Sequence, residues 1–362
     1  MPRRRDLLLG AAAALAAPAA ARAADGLRGV AAARGIRFGL AVQGDALVND
    51  PRAAAAVAAE AAVLVPEGGG KWLALRPEEG VYDFSELDAI IAFAARHGQT
   101  VRGHTLLWHA AMEDWTLAAL KEGAARGRPL LEAHFDRVLA HTALAIRDWD
   151  VANEAVADPR DSADLLRKSP WLESLGPDYL DLAFRAARQR DAGLALTYND
   201  YGCEQDTPVD DEKRRRVLAL VRGMRDRGVP IDAVGIQGHL RLGDPFSAPK
   251  LAAFVRSLRD LGLRVLVTEL DMIEDELRSD AAERDARSAA LVHAFVSTVL
   301  EGGGDAVLCW GVTDPHSWIG REPGYPALVS GLPARPLPLD AEYRRKPMWH
   351  ALARAFEGRP WP

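Results

Sequence analysis

Two glutamates, Glu154 and Glu269, each stand one polar residue after a short apolar run of the kind that forms a buried β-strand. A carboxylate at the end of a strand must either face water or take part in chemistry. Two carboxylates can divide the work of breaking a bond, because one can donate a proton while the other attacks carbon. The pair is therefore the first candidate for catalysis, provided that the fold brings the two strand ends together.

Short β-type runs alternate with helical patterns from about residue 36 to the end of the chain. Eight strands with intervening helices predict one α/β domain, a single (β/α)8 TIM barrel. The alternative is an open doubly wound sheet, but no glycine-rich phosphate loop follows the first strand. The predicted strands are 38–42, 62–65, 100–105, 149–153, 195–198, 233–237, 264–268 and 306–310, and the predicted helices include 85–97, 129–147, 178–191, 210–227, 249–261 and 280–301.

Functional groups of such barrels lie at the carboxyl ends of the strands, and these ends are polar here. The fourth and seventh strands face each other across the barrel mouth, so Glu154 and Glu269 can reach the separation of roughly 5 to 5.5 Å that a retaining glycosidase requires. An acid in that mechanism must hold its proton near neutral pH. We expect Trp108 and the second carboxylate to raise the pKa of Glu154.

Short motifs follow the predicted strands in order along the chain. They are Lys71-Trp72, 102–106 with Trp108-His109, 149–154, 198–201, 235–240, 268–271, and 310–314 with Trp318. Each motif alone is weak, but their order and their positions at the strand ends are specific. Together they resemble the motifs of glycoside hydrolase family 10, the retaining endo-β-1,4-xylanases, and the resemblance covers nearly all of the chain after the first two dozen residues.

The resemblance implies a role for each matching residue. Glu154 would be the acid/base and Glu269 the nucleophile, while Asn153 would bind the sugar 2-hydroxyl. His239, with Asp271 beside it, would orient Glu269. The implied substrate-binding residues are Glu67, Lys71, His104, Trp108, Asn153, Tyr201, Gln237, His239, Trp310 and Trp318.

The chain departs from the family pattern at three places that concern sugar recognition. The family has Pro-Glu-Asn-Glu-x-Lys-Trp after the second strand, whereas this chain has Gly68, Gly69 and Gly70 in the middle of that motif. Three glycines remove side-chain hydrogen bonds and increase backbone freedom. Ala111 stands in place of a glutamine, and Gly202 in place of an asparagine. We therefore expect an atypical substrate, such as a decorated or short xylo-oligosaccharide or a related β-1,4-glycan.

The first 23 residues predict an export signal of the twin-arginine type, with a basic start, an apolar middle and a small-residue exit. An amphipathic N-terminal helix is the alternative. The remaining residues, 24–362, would form the catalytic domain in the periplasm or the medium. Removal of the export signal would change the net charge from −6 for the 362-residue chain to −9 for the mature protein. We therefore expect no nucleic-acid partner, no membrane span in the mature protein, and a monomer that binds a polysaccharide or oligosaccharide.

Other functions remain open at this stage. Another barrel glycosidase, such as a β-1,4-glucanase or galactanase, would use the same carboxylates, and a non-catalytic carbohydrate-binding protein could keep the fold. A metal-dependent hydrolase is disfavoured, because the histidines lack metal-ligand spacing. We expect no metal and no cofactor, since two carboxylates and water complete glycoside hydrolysis. Cys203 and Cys309 are expected to be free, with a long-range disulfide as the alternative.

Overall fold

Eight parallel strands form a closed barrel in the computed structural model, which describes residues 26–274, 280–320 and 332–362. The predicted export signal, residues 1 to 23, lies outside the described residues. The last barrel strand pairs with both the first and the seventh, which closes the sheet and confirms the (β/α)8 prediction. The strands are β1 Arg37–Val42, β2 Val63–Pro66, β3 Thr100–Gly103, β4 Ile146–Asn153, β5 Ala195–Asp200, β6 Ala233–Ile236, β7 Arg264–Ile273 and β8 Ala306–Cys309.

Helices surround this barrel, and their apolar faces pack on the outside of the sheet in one continuous core. No helix of the described residues has both the length and the apolar character needed to cross a membrane. The helices are α1 Leu27–Ala32, α2 Gly44–Asn49, α3 Pro51–Glu60, α4 Trp72–Leu75, α5 Ser85–Arg96, α6 Asp114–Lys121, α7 Ala124–Thr142, α8 Pro170–Leu175, α9 Tyr179–Arg190, α10 Pro208–Asp226, α11 Ala248–Asp260, α12 Ala281–Glu301 and α13 Pro347–Glu357, with 3-10 turns at Asp314–His316 and Trp318–Gly320.

The largest errors in the predicted boundaries concern one helix and one strand. The helix expected at 129–147 begins at Ala124 and ends at Thr142, and the chain enters β4 at Ile146. Proline favours the first turn of a helix, but Pro129 here lies in the second turn. The strand expected at 264–268 continues to Ile273, so Glu269 and Asp271 are strand residues whose side chains share one face.

Two short strands extend the barrel on the side of the carboxyl ends. Residues Leu107–Trp108 pair with the end of β4, and His239–Arg241 pair with the end of β7. Both segments carry residues that the sequence predicted to bind sugar. The extensions therefore place Trp108 beside Asn153 and His239 beside Asp271.

Charged side chains occupy the barrel interior below the strand ends. Arg102, which is 2% exposed, donates to both carboxylate oxygens of Asp150 at 2.5 and 2.6 Å and lies 3.3 Å from Asp148. Asp150 is also 3.0 Å from His104 Nδ1. A buried charge is tolerated only when it is paired in this way. The pairing fixes His104 at the floor of the barrel mouth.

The two cysteines, Cys203 and Cys309, are both free and buried. The prediction of free thiols is therefore confirmed, and the alternative of a long-range disulfide is excluded.

Candidate active site

Glu154 follows the last residue of β4 and has a left-handed backbone conformation, with φ of +56°. A residue other than glycine adopts this conformation only where its surroundings impose it. The backbone N–H of Glu154 donates to the carbonyl of Asn199 at 2.9 Å, and its carbonyl accepts from Arg167 Nε at 2.9 Å. These two contacts hold the strained residue in place at the barrel mouth.

Two asparagines connect the carboxylates of Glu154 and Glu269. Asn199 Nδ2 donates to Glu269 Oε1 at 2.6 Å and to Asn153 Oδ1 at 2.9 Å. Asn153 Nδ2 in turn donates to Glu154 Oε1 at 3.1 Å. Thr268 fixes the amide of Asn199 by donating to its oxygen at 2.6 Å. The fold therefore brings the two glutamates together, as the sequence required.

The carboxylate of Glu154 accepts two further hydrogen bonds, from Gln237 Nε2 at 3.0 Å and from Trp108 Nε1 at 3.0 Å. Burial raises the pKa of Glu154, but the charge of His109 and these two hydrogen bonds lower it by more. The net pKa of Glu154 is thus below its ordinary value. The expected rise in the pKa of Glu154 was wrong, because Trp108 donates to the carboxylate and so favours its charged form.

Glu269 lies beside a histidine that carries a positive charge. His239 Nε2 is 3.3 Å from Glu269 Oε2, and His239 Nδ1 is 2.7 Å from Asp271 Oδ1. Burial lowers the pKa of His239, but Asp271 and then Glu269 raise it by more, to well above its ordinary value. Trp318 Nε1 donates to the other oxygen of Asp271 at 2.7 Å. The imidazolium of His239 therefore lies within hydrogen-bond reach of the Glu269 carboxylate, where it can orient that group.

The cleft has two sides that meet at Glu154. The first, which we call the Lys71 side, has a volume of about 990 Å³ and is lined by both Glu154 and Glu269. Lys71 Nζ lies 4.8 Å from the ring centre of Trp108 and 5.8 Å from that of Trp310, within the range of cation–π contacts. Other predicted residues that line this side are Glu67, His104, Asn153, His239 and Trp318.

The second side, which we call the Tyr201 side, has a volume of about 560 Å³, and of the two glutamates only Glu154 lines it. Tyr201 accepts a hydrogen bond from Arg167 Nη2 at 2.7 Å and donates to Asp158 Oδ2 at 3.2 Å. Lys213 Nζ lies 4.6 Å from the ring centre of Tyr201. The predicted residues Tyr201 and Gln237 therefore belong to this side.

Three residues with evident roles in the site were not predicted: Asn199, Arg167 and Glu204. Asn199 belongs to the Tyr-Asn-Asp-Tyr motif, which was a usable signal. Arg167 reaches Glu154 only because residues 154–167 fold back through a bridge between Val156 and Leu166. Nothing in the local sequence indicates that return.

Glu204 lies beneath the Tyr201 side. Its two oxygens accept the backbone N–H groups of Gly238 at 3.0 Å and Cys203 at 2.6 Å. Burial, and then the charge of Asp210, raise the pKa of Glu204 to about 7. Gly238 separates Gln237, which contacts Glu154, from His239, which contacts Glu269. One carboxylate therefore fixes the segment that serves both candidate catalytic groups.

The three consecutive glycines, Gly68, Gly69 and Gly70, have different surroundings. A Cβ built on Gly70 would lie 2.5 Å from the carbonyl oxygen of His104, and one on Gly69 would lie 2.8 Å from Glu86 Cδ. A Cβ on Gly68 would meet no heavy atom within 4 Å. We expected the three glycines to increase backbone freedom, but the structure gives a different reason for each position. Gly69 and Gly70 are required by close neighbouring atoms, whereas Gly68 leaves open space. Of the other departures, Ala111 and Gly202 both have positive φ, +51° and +74°.

Among the residues that the structure describes, no group of three or more histidine, cysteine, aspartate or glutamate side chains is arranged to hold a metal ion.

Comparison with known proteins agrees with this geometry. Residues 26–355 match the model of glycosyl hydrolase family 10. A β-1,4-xylanase of Dictyoglomus thermophilum is 36% identical over 282 residues, which cover 73% of this chain and 76% of that protein. Endo-1,4-β-xylanase 1 of Humicola insolens is 32% identical over 353 residues, which cover 96% of this chain and 77% of the relative.

Solved structures give the same result. Xylanase 10B from Thermotoga petrophila RKU-1, in complex with xylobiose, superposes with a TM-score of 0.82 at 27% identity, covering 92% of this chain and 97% of that one. An intracellular xylanase from Thermoanaerobacterium saccharolyticum, in complex with xylotriose, superposes with a TM-score of 0.77 at 29% identity. The match covers 88% of this chain and 95% of that one. The chain belongs to glycosyl hydrolase family 10, and the predicted resemblance is confirmed.

Proposed function

We propose that this protein is an endo-β-1,4-xylanase that hydrolyses internal bonds of xylan or xylo-oligosaccharides with retention of configuration. The observation that carries the proposal is the pair Glu154 and Glu269, joined by two asparagines at the centre of a cleft that continues on both sides of Glu154. A cleft of this kind lets a glycan extend past the catalytic pair in both directions. Xylanases among the relatives, some in complex with xylo-oligosaccharides, support xylan as the substrate.

The reaction proceeds in two displacements. Glu269 attacks the anomeric carbon while Glu154 protonates the departing oxygen, so an ester bond forms as the glycosidic bond breaks. Glu154, now a carboxylate, then takes a proton from water, whose oxygen attacks the same carbon and releases Glu269. His239 contacts Glu269 Oε2 at 3.3 Å and orients the carboxylate for the attack.

The sugar on the glycone side of the cleaved bond occupies the Lys71 side, because the nucleophile lines only that side. The departing part of the chain occupies the Tyr201 side. A bound glycosidic oxygen accepts a hydrogen bond from protonated Glu154, and the bound sugar displaces water. Both changes raise the pKa of Glu154 relative to the ligand-free protein, so the acid form is gained with the substrate.

The other predicted residues bind the glycan in this proposal. Asn153 contacts the 2-hydroxyl beside the reacting carbon, and His239 with Asp271 orients Glu269. Hydroxyl groups of the sugars are bound by Glu67, Lys71, His104 and Gln237, and the sugar faces pack on Trp108, Tyr201, Trp310 and Trp318. Aromatic side chains suit the apolar faces of pyranose rings, while charged groups form strong hydrogen bonds to hydroxyls.

The decisive experiment measures reducing ends released from β-1,4-xylan by the protein without residues 1 to 23, with Glu269→Ala as the blank. Release of reducing ends by the wild type but not by the blank supports the proposal. NMR of the early products should show the β-anomer first, as retention of configuration requires. Parallel assays on β-1,4-glucan and galactan test the other glycanases. Glycan binding without release from any of them by a folded sample would leave only a carbohydrate-binding role.

We further propose that residues 1 to 23 direct export by the twin-arginine route, so that the enzyme works in the periplasm or the medium. The support is the run Arg3-Arg4-Arg5-Asp6 followed by leucines and alanines. Replacing Arg3, Arg4 and Arg5 by lysine should retain the protein in the cytoplasm. Unchanged export of this variant would refute the route.

We also propose that the mature enzyme is a monomer, since a glycan cleft within one chain needs no second copy. Light scattering of the purified protein should give the mass of a single chain. A concentration-independent dimer mass would refute this.

A further inference from the structure

The far end of the Lys71 side contains a glutamate from another helix. Glu86, in the first turn of α5, lines the cavity there, and its side chain lies directly against Gly44 and Gly69. A Cβ on Gly44 would lie 2.6 Å from Glu86 Cγ, and one on Gly69 would lie 2.8 Å from its Cδ. Neither glycine has a positive φ, so it is the position of Glu86 that requires them. The chain thus reserves space for this carboxylate at two positions.

One oxygen of the Glu86 carboxylate is fixed and the other is available. Oε1 accepts the backbone N–H of Gly44 at 3.1 Å. Within residues 26–274, 280–320 and 332–362, no hydrogen-bond donor is found for Oε2, and the side chain is only half-buried. A carboxylate oxygen held in place at a cavity wall is a pre-organised acceptor, which binds a hydroxyl with little loss of conformational entropy.

The space next to Glu86 is open. A Cβ on Gly68 would meet no heavy atom within 4 Å, so the cavity continues past this residue. The same cavity is also lined by Glu67, whose Oε2 accepts a hydrogen bond from Gln43 Nε2 at 2.9 Å. With Asp45, three carboxylates line this end, and a neutral ligand rich in hydroxyl groups fits it better than an anion.

We propose that Glu86, beside the opening at Gly68, forms an additional sugar-binding position at the far end of the Lys71 side. It takes one further neutral pentose unit of the substrate, whose hydroxyl groups donate to Glu86. The unit comes from one of two sources, the next xylose of the main chain or a pentose branch on a bound xylose. The inference deepens the proposed xylan hydrolysis and depends on it.

The test compares kcat/KM of Glu86→Ala with the wild type on linear xylo-oligosaccharides of increasing length and on the same oligosaccharides bearing one arabinofuranosyl branch. We expect a loss of about tenfold or more on substrates that reach the position, since a hydrogen bond to a charged group is lost, and no change on shorter ones. A loss that begins at a certain linear length identifies the main chain. A loss confined to branched substrates identifies the branch.

Two further variants separate binding from folding. Gly69→Ala keeps the carboxylate but displaces it, and it should reproduce the loss on the same substrates. Glu132→Ala removes a glutamate of α7 whose side chain is 46% exposed, and it should match the wild type on all substrates. Wild-type values for Glu86→Ala on every substrate would overturn the inference while leaving xylan hydrolysis intact. Failure of the wild type to cleave any substrate would instead remove the proposed function itself.

Discussion

The two sides of the cleft are built by different means. On the Tyr201 side, long charged side chains hold one another: Arg167 binds Tyr201, Tyr201 binds Asp158, and Lys213 pairs with Asp200 at 2.9 Å. On the Lys71 side, Gly69 lies close to Glu86, Gly70 lies close to the carbonyl of His104, and Gly68 leaves an opening.

Because the two sides are built differently, substitutions on them should affect different properties of the protein. A substitution in the Tyr201 network leaves a buried charge or hydroxyl without its partner, which destabilises the whole protein. A substitution of a glycine on the Lys71 side changes the shape of the cavity without removing a partner of a buried ion pair. We therefore expect stability to respond mainly to one side and substrate preference mainly to the other.

The largest effect is expected at Glu154, where the two sides meet. Glu154→Ala removes the acid, so kcat/KM on xylan should fall about 10² to 10⁴-fold. An aryl xylobioside with a good leaving group needs no proton to depart, and its first step should be nearly unaffected. Parallel rates on both substrates provide the measurement, and azide in place of water should restore turnover of the aryl substrate. Equal losses on the two would contradict the assignment of Glu154 as the acid.

Next in size is the loss of the buried cation on the Tyr201 side. Lys213 and Asp200 are each 1% exposed, and Lys213 also donates to the carbonyl of Val156 at 2.9 Å. Lys213→Met leaves Asp200 buried without its partner and should lower the free energy of unfolding by about 3 to 5 kcal/mol. Urea denaturation of the variant and the wild type measures this difference in the free energy of unfolding. The matched Lys71→Met variant loses only cation–π contacts and should lose about 1 kcal/mol or less. Similar losses for both would break the contrast between the sides.

The third prediction concerns pH and Glu204. Its pKa is raised from 4.5 to about 7, so its contribution to stability is full below about pH 4.5 and is lost as pH rises through about 7. Glu204→Gln does not titrate. The unfolding free energy of the variant relative to the wild type should therefore increase by about 3 kcal/mol between pH 4.5 and pH 8. Denaturation at both pH values measures this, and a pH-independent difference would show that Glu204 titrates normally.

The smallest effect distinguishes two glycines within the Lys71 side. Gly70→Ala places a Cβ 2.5 Å from the His104 carbonyl oxygen and should destabilise the protein by about 1 to 3 kcal/mol. Gly68→Ala enters open space and should change stability by no more than about 0.5 kcal/mol. Thermal unfolding of the two variants is the test. Equal destabilisation would mean that the Gly68 opening is closed in solution.

The barrel and the placement of Glu154 and Glu269 at its mouth could be predicted from the sequence because their signals are local. Alternation of strands and helices gives the topology, and the motifs near the carboxyl side of the fourth and seventh strands tell where Glu154 and Glu269 lie. The start of α7 was missed because Pro129, in the second turn, resembles a helix start.

The rest of the site depends on contacts between distant segments. Arg167 reaches Glu154 from the end of a returning loop, and Glu86 reaches the cleft from another helix. The pKa of Glu154 is the balance of burial against a charge and two hydrogen bonds, and its direction follows only from their positions in space.

The closure of the barrel has a consequence for how this chain folds. Arg37 in β1 pairs with Ala306 in β8, so the ring of strands is complete only after nearly the whole chain has left the ribosome. Until then β1 keeps one unpaired edge, and unpaired edges invite association with other chains. Contacts of such long sequence separation form slowly. Loss of β8 would leave both β1 and β7 with open edges, so a truncation that spares every catalytic residue should still yield an aggregating protein.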